Sequence, residues 1–279
     1  MTAVLEQTTV AGVYDIPAEA YHADPVPGGS LSSSGARVLL DCPARFRYRQ
    51  QNPEPFTKTF DVGHAAHKVV LGAGPELVRI DADEWRTKAV KEEVAAVRAR
   101  GAVPLKPADW ARVHAMADAL RTNRWAASAL SPDSGLPERT LVWRDDETDV
   151  WCRAMVDWLR HTAIVDYKST ISVATDAIAR TVATYGYHQQ DAWYLDGAAA
   201  LDLDVEMFLF VFQEKDPPYF TRVVELDQDD LLRGRARNRR ALALYRDCTV
   251  AGVWPAYPDE ITTITLPRWA TYAEEAPLE

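Results

Sequence analysis

The chain divides into a helix-rich first half and a second half in which apolar runs of strand length alternate with helical patterns. Ser32-Ser33-Ser34 offers N-caps for a short helix over about Gly35 to Leu40. Cys42-Pro43 closes it, and Ala44 to Gln50 reads as a further turn of helix. Phe60 to Leu71 has helical spacing, with Gly63 near its start. Asp83 to Arg100 is charged and Ala-rich, which predicts a solvated helix. Pro107 to Leu120 reads as a helix with proline in its first turn. Residues 11–30, rich in Pro, Gly and Asp, predict an extended lead-in.

The pattern then changes. Strands are predicted at Glu138 to Trp143, Asp149 to Leu159, and briefly at Ala163-Ile164-Val165. Helices follow at roughly 172–180 and 183–200. Strands return at Val205 to Gln213 and Tyr219 to Glu225, around the turn Lys215-Asp216-Pro217-Pro218, and Leu226 to Asp247 is a long helix. There are no repeats and no low-complexity linker. The expected fold class is α/β, with a central mixed sheet flanked by helices and an N-terminal helical portion.

Composition narrows the class. A hydrophobic share of 47% in 279 residues supports a packed core, enough for one large domain. The net charge of −10 argues against passive coating of nucleic acid, though not against a local basic groove. Cys42, Cys152 and Cys248 are far apart and form no C-x-x-C pair, which argues against structural zinc and fits a reducing cytoplasm. The N-terminus lacks a signal-peptide pattern, and the apolar stretch Val205 to Phe212 is too short to span a membrane. A soluble, cytoplasmic protein is expected.

The chemistry concentrates at Asp157 and at Asp166-Tyr167-Lys168. If the intervening turn centres on His161-Thr162, residues whose numbers sum to 323 lie opposite each other, and Asp157 and Asp166 satisfy this. Directly opposite side chains have Cβ atoms roughly 4.5–5.5 Å apart. Lys168 then shares the face of Asp166, because strand side chains alternate. Two carboxylates this close repel unless a cation intervenes. Mg²⁺ or Mn²⁺ suits such oxygen ligands, and a bound metal activates water for attack on a phosphodiester. The competing reading is a surface hairpin carrying an Asp–Lys pair.

Other residues bear on that choice. His67, in Gly63-His64-Ala65-Ala66-His67, could supply a nitrogen ligand or be an ordinary half-buried histidine; His64 has no stronger case. Glu138 could be a third carboxylate or simply solvated. Gln190 and Tyr194, at i and i+4, could hold a phosphate or fix the lysine, while Tyr194 with Tyr187 and Trp193 could equally be packing. Arg233, Arg235, Arg237, Arg239 and Arg240 spread around their helix and read as a solvated face rather than a DNA stripe. Lys88, Lys91, Arg98 and Arg100 read similarly.

Taken together, the set resembles the PD-(D/E)xK nuclease superfamily, and within it the RecE-like group, the exodeoxyribonuclease VIII catalytic domain. The resemblance covers about residues 13–270. Ile16-Pro17, Tyr21-His22, Leu31-Ser32-Ser33-Ser34 and Cys42-Pro43-Ala44-Arg45-Phe46 look like that group's opening. Gly63 to His67 resembles its G-x-x-x-H motif, which implies a metal-ligand role for His67. Glu138 falls where the group has an acid ahead of its core strands. Asp157 and Asp166-Tyr167-Lys168 match the two core motifs, with Val156 where the motif's name has proline. Tyr187 to Tyr194 resembles a Q-x-x-x-Y helix, matching Gln190 and Tyr194, and Trp254-Pro255 with Leu266-Pro267-Arg268-Trp269-Ala270 resembles the closing segment.

The resemblance implies catalytic roles for Asp157, Asp166, Lys168, Glu138, Gln190 and Tyr194, with His67, Asp157 and Asp166 as metal ligands. It implies a Mg²⁺-dependent exonuclease (Mn²⁺ as a substitute) that resects linear double-stranded DNA 5′→3′. The product is a 3′ tail for a single-strand annealing protein in a phage or prophage recombination setting. A homo-oligomer, as a ring around DNA, is implied too. The expected organisation is a tail over 1–12 and one nuclease domain over 13–279. That domain comprises a helical portion to about 130, a catalytic core over about 131–250, and a closing segment over about 251–279.

An iron–sulfur nuclease sharing this core needs four cysteines, so no cluster is expected in a chain with three. A structure-specific endonuclease on the same fold remains open, because both activities use the same metal site. A catalytically inactive DNA-binding or assembly protein is disfavoured by retention of the full residue set. A small-molecule metal hydrolase is disfavoured by the lack of a dense histidine motif.

Overall fold

The computed structural model describes residues 10–52 and 62–266. Phe60, the His64 side chain and Pro267-Arg268-Trp269-Ala270, singled out above, lie outside the described residues, as does the tail over 1–9. The first half runs β1 (Gly12–Tyr14), α1 (Ala18–His22), β2 (Leu31–Ser32), α2 (Ser33–Asp41), α3 (Pro43–Gln51), α4 (Val62–Leu71), β3 (Leu77–Arg79), α5 (Lys88–Ala99), β4 (Val103–Leu105), α6 (Pro107–Thr122) and α7 (Arg124–Ala129). The second half runs β5 (Gly135–Arg144), β6 (Trp151–Arg160), β7 (Ala163–Thr170), α8 (Thr175–Tyr185), α9 (Tyr187–Ala200), β8 (Met207–Glu214), β9 (Thr221–Val224) and α10 (Gln228–Ala251).

Local chemistry sets many of these boundaries. Ser32 caps α2, its hydroxyl accepting from the Gly35 amide at 3.1 Å, and α6 carries Pro107 in its first turn. The Asn123 side chain caps α7. The predicted lead-in is instead edge strand β1 and helix α1, and β7 runs on five residues past Val165. Helix α5 starts at Lys88 and is not wholly solvated. Val94 and Val97 are buried with Ile80 and Ala102 under the small parallel pair β3–β4, which the sequence reading missed.

The main sheet has the order β1-β5-β6-β7-β8-β9, with β2 added in parallel to β6. Strands β5, β6 and β7 form an antiparallel meander, and β7 pairs in parallel with β8 through the α8–α9 crossover. The sheet is therefore mixed, as predicted. Alternation along β8 divides the core. Phe208, Phe210 and Phe212 join a cluster with Leu39, Trp193, Leu242 and Tyr245, under α2, α9 and α10. Val211 joins Val165 and Tyr167 from β7 on the other side, with Ala66, Met116 and Ala126 from α4, α6 and α7. Among the described residues, no helix is long and apolar enough to cross a membrane.

The arginines of α10 are largely engaged with neighbouring acids, consistent with the solvated-face reading. Arg239 holds the Asp145 carboxylate in the β5–β6 turn, Arg235 pairs with Asp196 of α9, and Arg233 pairs with Asp230. Helices α9 and α10 approach closely where α10 carries Gly234. A Cβ placed there would lie 2.0 Å from the His188 carbonyl oxygen. Gly234→Ala should therefore push α10 off α9 and cost about 1–3 kcal/mol, the range for overpacking a tight contact. Chemical denaturation of the two proteins checks it; unchanged stability would show that the contact yields easily.

Candidate active site

The site forms where the sheet opens. Strands β6 and β7 pair at Leu159↔Ile164 and Trp158↔Val165, the register predicted from a turn at His161-Thr162. The next pair in that register, Asp157 opposite Asp166, does not form. Beyond it β6 has β2 as its partner, at Ser32↔Arg153 and Leu31↔Cys152, while β7 stays with β8. The expected direct opposition of the two acids is thus corrected to a split. Parting the strands strips β7 of backbone partners, and a buried amide needs one. The Asp157 carboxylate supplies it, with Oδ2 accepting from the Tyr167 amide at 2.8 Å.

The split brings two other elements to Asp157. His67, on α4, places Nε2 3.1 Å from Asp157 Oδ2, and its Nδ1 lies 4.0 Å from Glu138 Oε1. Glu138 occupies β5 between Pro137↔Trp158 and Arg139↔Val156, which sets it across from Asp157. Its φ of 48° is the left-handed backbone that a non-glycine residue rarely adopts, so strand regularity breaks at the acid facing Asp157.

Asp166 points toward α9 and is 1% exposed. Gln190 donates to its Oδ1 at 2.8 Å, and Lys168 Nζ lies 2.6 Å from Oδ2. Lys168 also sits 5.0 Å from the centre of the Tyr187 ring, a cation–π arrangement. The structure brings together all but one of the proposed site residues. Tyr194 stands one step back: its hydroxyl donates to the Met155 carbonyl at 2.9 Å and also meets the Gln190 side chain, so it braces β6 and reaches Asp166 only through that amide. Gln190 in turn holds Asp166, not Lys168. Both residues share one face of α9, but their partners lie on different strands.

The electrostatics follow from burial. Desolvation pushes the Asp166 carboxyl up to about 6, despite Lys168. Burial also raises Glu138, with His67 opposing. At Asp157 burial would raise the carboxyl, but His67, Lys168 and the Tyr167 amide together outweigh it and hold the group below the usual carboxylate range. The converse holds for His67, which Asp157 raises against burial, and for Lys168, raised by Asp166 and Asp157.

Three carboxyl groups therefore face two cations. Among the described residues no ready cluster of three His, Cys, Asp or Glu side chains converges on one point, because each acid is turned to an internal cation. The donor set nevertheless fits a hard divalent cation: carboxylate oxygens, one imidazole nitrogen, and a buried carboxylate short of positive charge. With His67 neutral, a divalent ion and Lys168 together balance Asp157, Asp166 and Glu138.

Asp157, His67, Tyr167 and Lys168 line the inner end of an open cleft of about 790 Å³. The cleft continues past Ser169 to Ser172 and along α8, by Arg180, Thr181 and Tyr185, to Lys215. The sequence reading missed this outer part and gave Tyr187 only a packing role. The signal available was a loop of hydroxyl residues directly after Lys168. Gly186 makes the sharp α8–α9 junction with φ 64°, a position also crowded by Arg37, whose Cδ would lie 2.9 Å from an added Cβ.

Comparison with known proteins agrees with this architecture. Residues 32–267 match the family described as a PDDEXK-like domain of unknown function (DUF3799). Among solved structures, a protein of Eubacterium rectale described as a candidate exonuclease superposes with a TM-score of 0.60 at 11% identity. The match covers 93% of this chain and 99% of that one. A phage-related exonuclease from Haemophilus somnus gives a TM-score of 0.33 at 12% identity over 80% and 96% of the two chains. An alkaline exonuclease from Laribacter hongkongensis gives 0.26 at 16% over 67% and 90%. None of the curated proteins matches the sequence.

Two outcomes are expected of this geometry. Asp166 carries a proton below about pH 6, and a cation must displace it. The sign is that of a raised carboxyl: protonation is favoured as pH falls, so metal affinity rises with pH. Mn²⁺ affinity should be about tenfold or more weaker at pH 5 than at pH 7, one pKa unit being a factor of ten. Calorimetric titration at the two pH values checks it, and equal affinities would remove Asp166 from the ligand set. Tyr194→Phe should cost about 1 kcal/mol of stability, the worth of one hydrogen bond, and leave Mn²⁺ affinity unchanged. A large loss of affinity would put the hydroxyl back in the site.

Proposed function

The chain belongs to the PDDEXK-like domain family DUF3799, and from that membership we propose that it is a divalent-metal-dependent deoxyribonuclease, an exonuclease acting on linear double-stranded DNA. One observation carries the reading. His67, Asp157 and Lys168 line an open cleft whose other walls carry hydroxyls and cations, with Asp166 held by Lys168 and Glu138 beside His67. Carboxylates around a divalent ion, beside a lysine, form the charge arrangement that phosphodiester hydrolysis requires.

Asp157, Asp166 and His67 would hold Mg²⁺, or Mn²⁺ in its place, and the ion would polarise the phosphate and lower the pKa of water. Glu138 adds carboxylate charge beside His67. Gln190 keeps Asp166 oriented through its 2.8 Å hydrogen bond. The Tyr167 amide fixes Asp157, so both acids start from held positions. Lys168 is the cation nearest to both the acids and the open cleft. It positions the attacking water or neutralises charge that grows on the phosphate. Tyr194 acts at one remove, by bracing Met155 two residues before Asp157.

The fuller reading has several parts. The protein is one nuclease domain over 13–279, resecting 5′→3′ and leaving 3′ tails. A single-strand annealing protein takes up those tails in recombination of phage or prophage type. The enzyme assembles as a homo-oligomer, closed into a ring, in the cytoplasm. A ring would let an acidic chain hold DNA, since only the channel need be positive.

Asp166→Ala or Lys168→Ala should reduce Mg²⁺-dependent degradation of linear duplex DNA by at least about a hundredfold. Both variants should keep the wild-type circular dichroism spectrum. Relaxed closed circular DNA should survive the wild-type enzyme, and with one end labelled the order of release reports polarity. Full activity in either variant would remove the residue from the catalytic role. Cutting of closed circles would change the reading to an endonuclease.

A further inference from the structure

A column of aromatic rings runs from the core to the cleft. The fully buried Phe210 of β8 stacks on Tyr187 with centroids 5.7 Å apart and planes 25° from parallel. Tyr187 stacks on Tyr185 at 5.7 Å and 22°. Tyr185 ends the column and is 58% exposed. The buried ring and the packed middle ring hold the outer one in place, so its solvent face is preset. Lys168 lies beside the middle ring, which ties the column to the candidate catalytic centre.

We propose that Tyr185 is the stacking platform for the base of an unpaired nucleotide adjoining the scissile phosphate. The inference rests on the nuclease reading for its substrate class. A single exposed tyrosine is ordinary. This one differs in being the free end of a near-parallel stack, the geometry that a nucleobase extends. Single-strand sites combine aromatic platforms with cations and hydroxyls for the backbone. Arg180, Thr181, Thr184 and Lys215 line the same cleft as Tyr185. Among the described residues Arg180 pairs with Asp176 in an exposed i,i+4 contact, the kind of pair that a phosphate readily replaces. Ile171, 89% exposed, gives the cleft a second apolar surface. A base held here must have left its partner strand, so Tyr185 makes the site selective for frayed or single-stranded ends.

The test is binding of a single-stranded oligonucleotide containing 2-aminopurine, in EDTA so that nothing is cut. The full-length wild type, Tyr185→Ala and Tyr185→Phe are compared on this strand and on one with abasic residues in place of the bases. Tyr185→Ala should bind the intact strand about ten- to a hundredfold more weakly, the range for loss of one stacking ring, while Tyr185→Phe stays near wild type. The abasic strand should bind wild type and Tyr185→Ala with equal, weak affinity, because the ring then has no base to meet. Equal loss on both strands, or no loss at all, would overturn the proposal. Cleavage plays no part in this measurement. Its failure therefore leaves the nuclease reading to the plasmid assay, and failure of that assay leaves the base contact standing.

Discussion

The site depends on the parting of β6 from β7 at Asp157 and Asp166. Had the antiparallel ladder continued, backbone bonds would have closed the space between the strands. Instead β2 takes up part of β6, β8 takes up all of β7, and the gap is left to side chains. A buried amide cannot be left unpartnered, so Asp157 is drawn onto the Tyr167 N–H. That single bond turns a strand residue into a fixed carboxylate. It also leaves room for His67 from the opposite face of the sheet.

The same opening explains the charge pattern. Acids gathered with too few cations shift one another and pay in desolvation. Asp166 bears the largest share, being almost wholly buried and held by one lysine and one neutral amide. Asp157 escapes because His67, Lys168 and the Tyr167 amide are close. The result is a pair of carboxyl groups with opposite displacements, one below its usual range and one well above. Such a site has the charge balance that the proposed divalent cation would complete. Around it the fold is well braced. Tyr194 and Trp193 donate from α9 to β6 carbonyls, Gln190 ties α9 to β7, and α9 lies tightly on α10 at Gly234.

The acidic balance is a smaller obstacle to the proposed action on DNA once the arginines are followed. Those of α10 are mostly engaged with acids of the same helix, of α9 and of the β5–β6 turn, so they hold the fold together. Beyond Lys168 the cleft is lined by two further cations, Arg180 and Lys215, which the proposed function would use for substrate. The exposed Tyr185 and Ile171 give that cleft apolar surface as well, and the stacking proposed for Tyr185 needs no excess of basic residues.

Much of this was legible in the chain. The β6–β7 register followed from the turn at His161-Thr162, and strand alternation put Asp166 and Lys168 on one side. The long helix from Pro107 was marked by the proline in its first turn, and the one after Asp227 by its helical pattern. His67 and Glu138 were candidates on residue type and position, the resemblance implied their roles, and the fold places both beside Asp157. What the chain could not reveal was where the predicted register stops. That depends on β2, more than a hundred residues upstream, competing for β6. Nor could helical spacing distinguish Gln190 from Tyr194: it sets both on one face, while the strand geometry decides that one meets Asp166 and the other a main-chain carbonyl. The ring column joins β8 to the α8–α9 junction and exists only after the crossover is made. Local periodicity determines which residues share a face. Which partner each polar group and ring then finds is settled by long-range packing, because that alone brings distant elements within bonding distance.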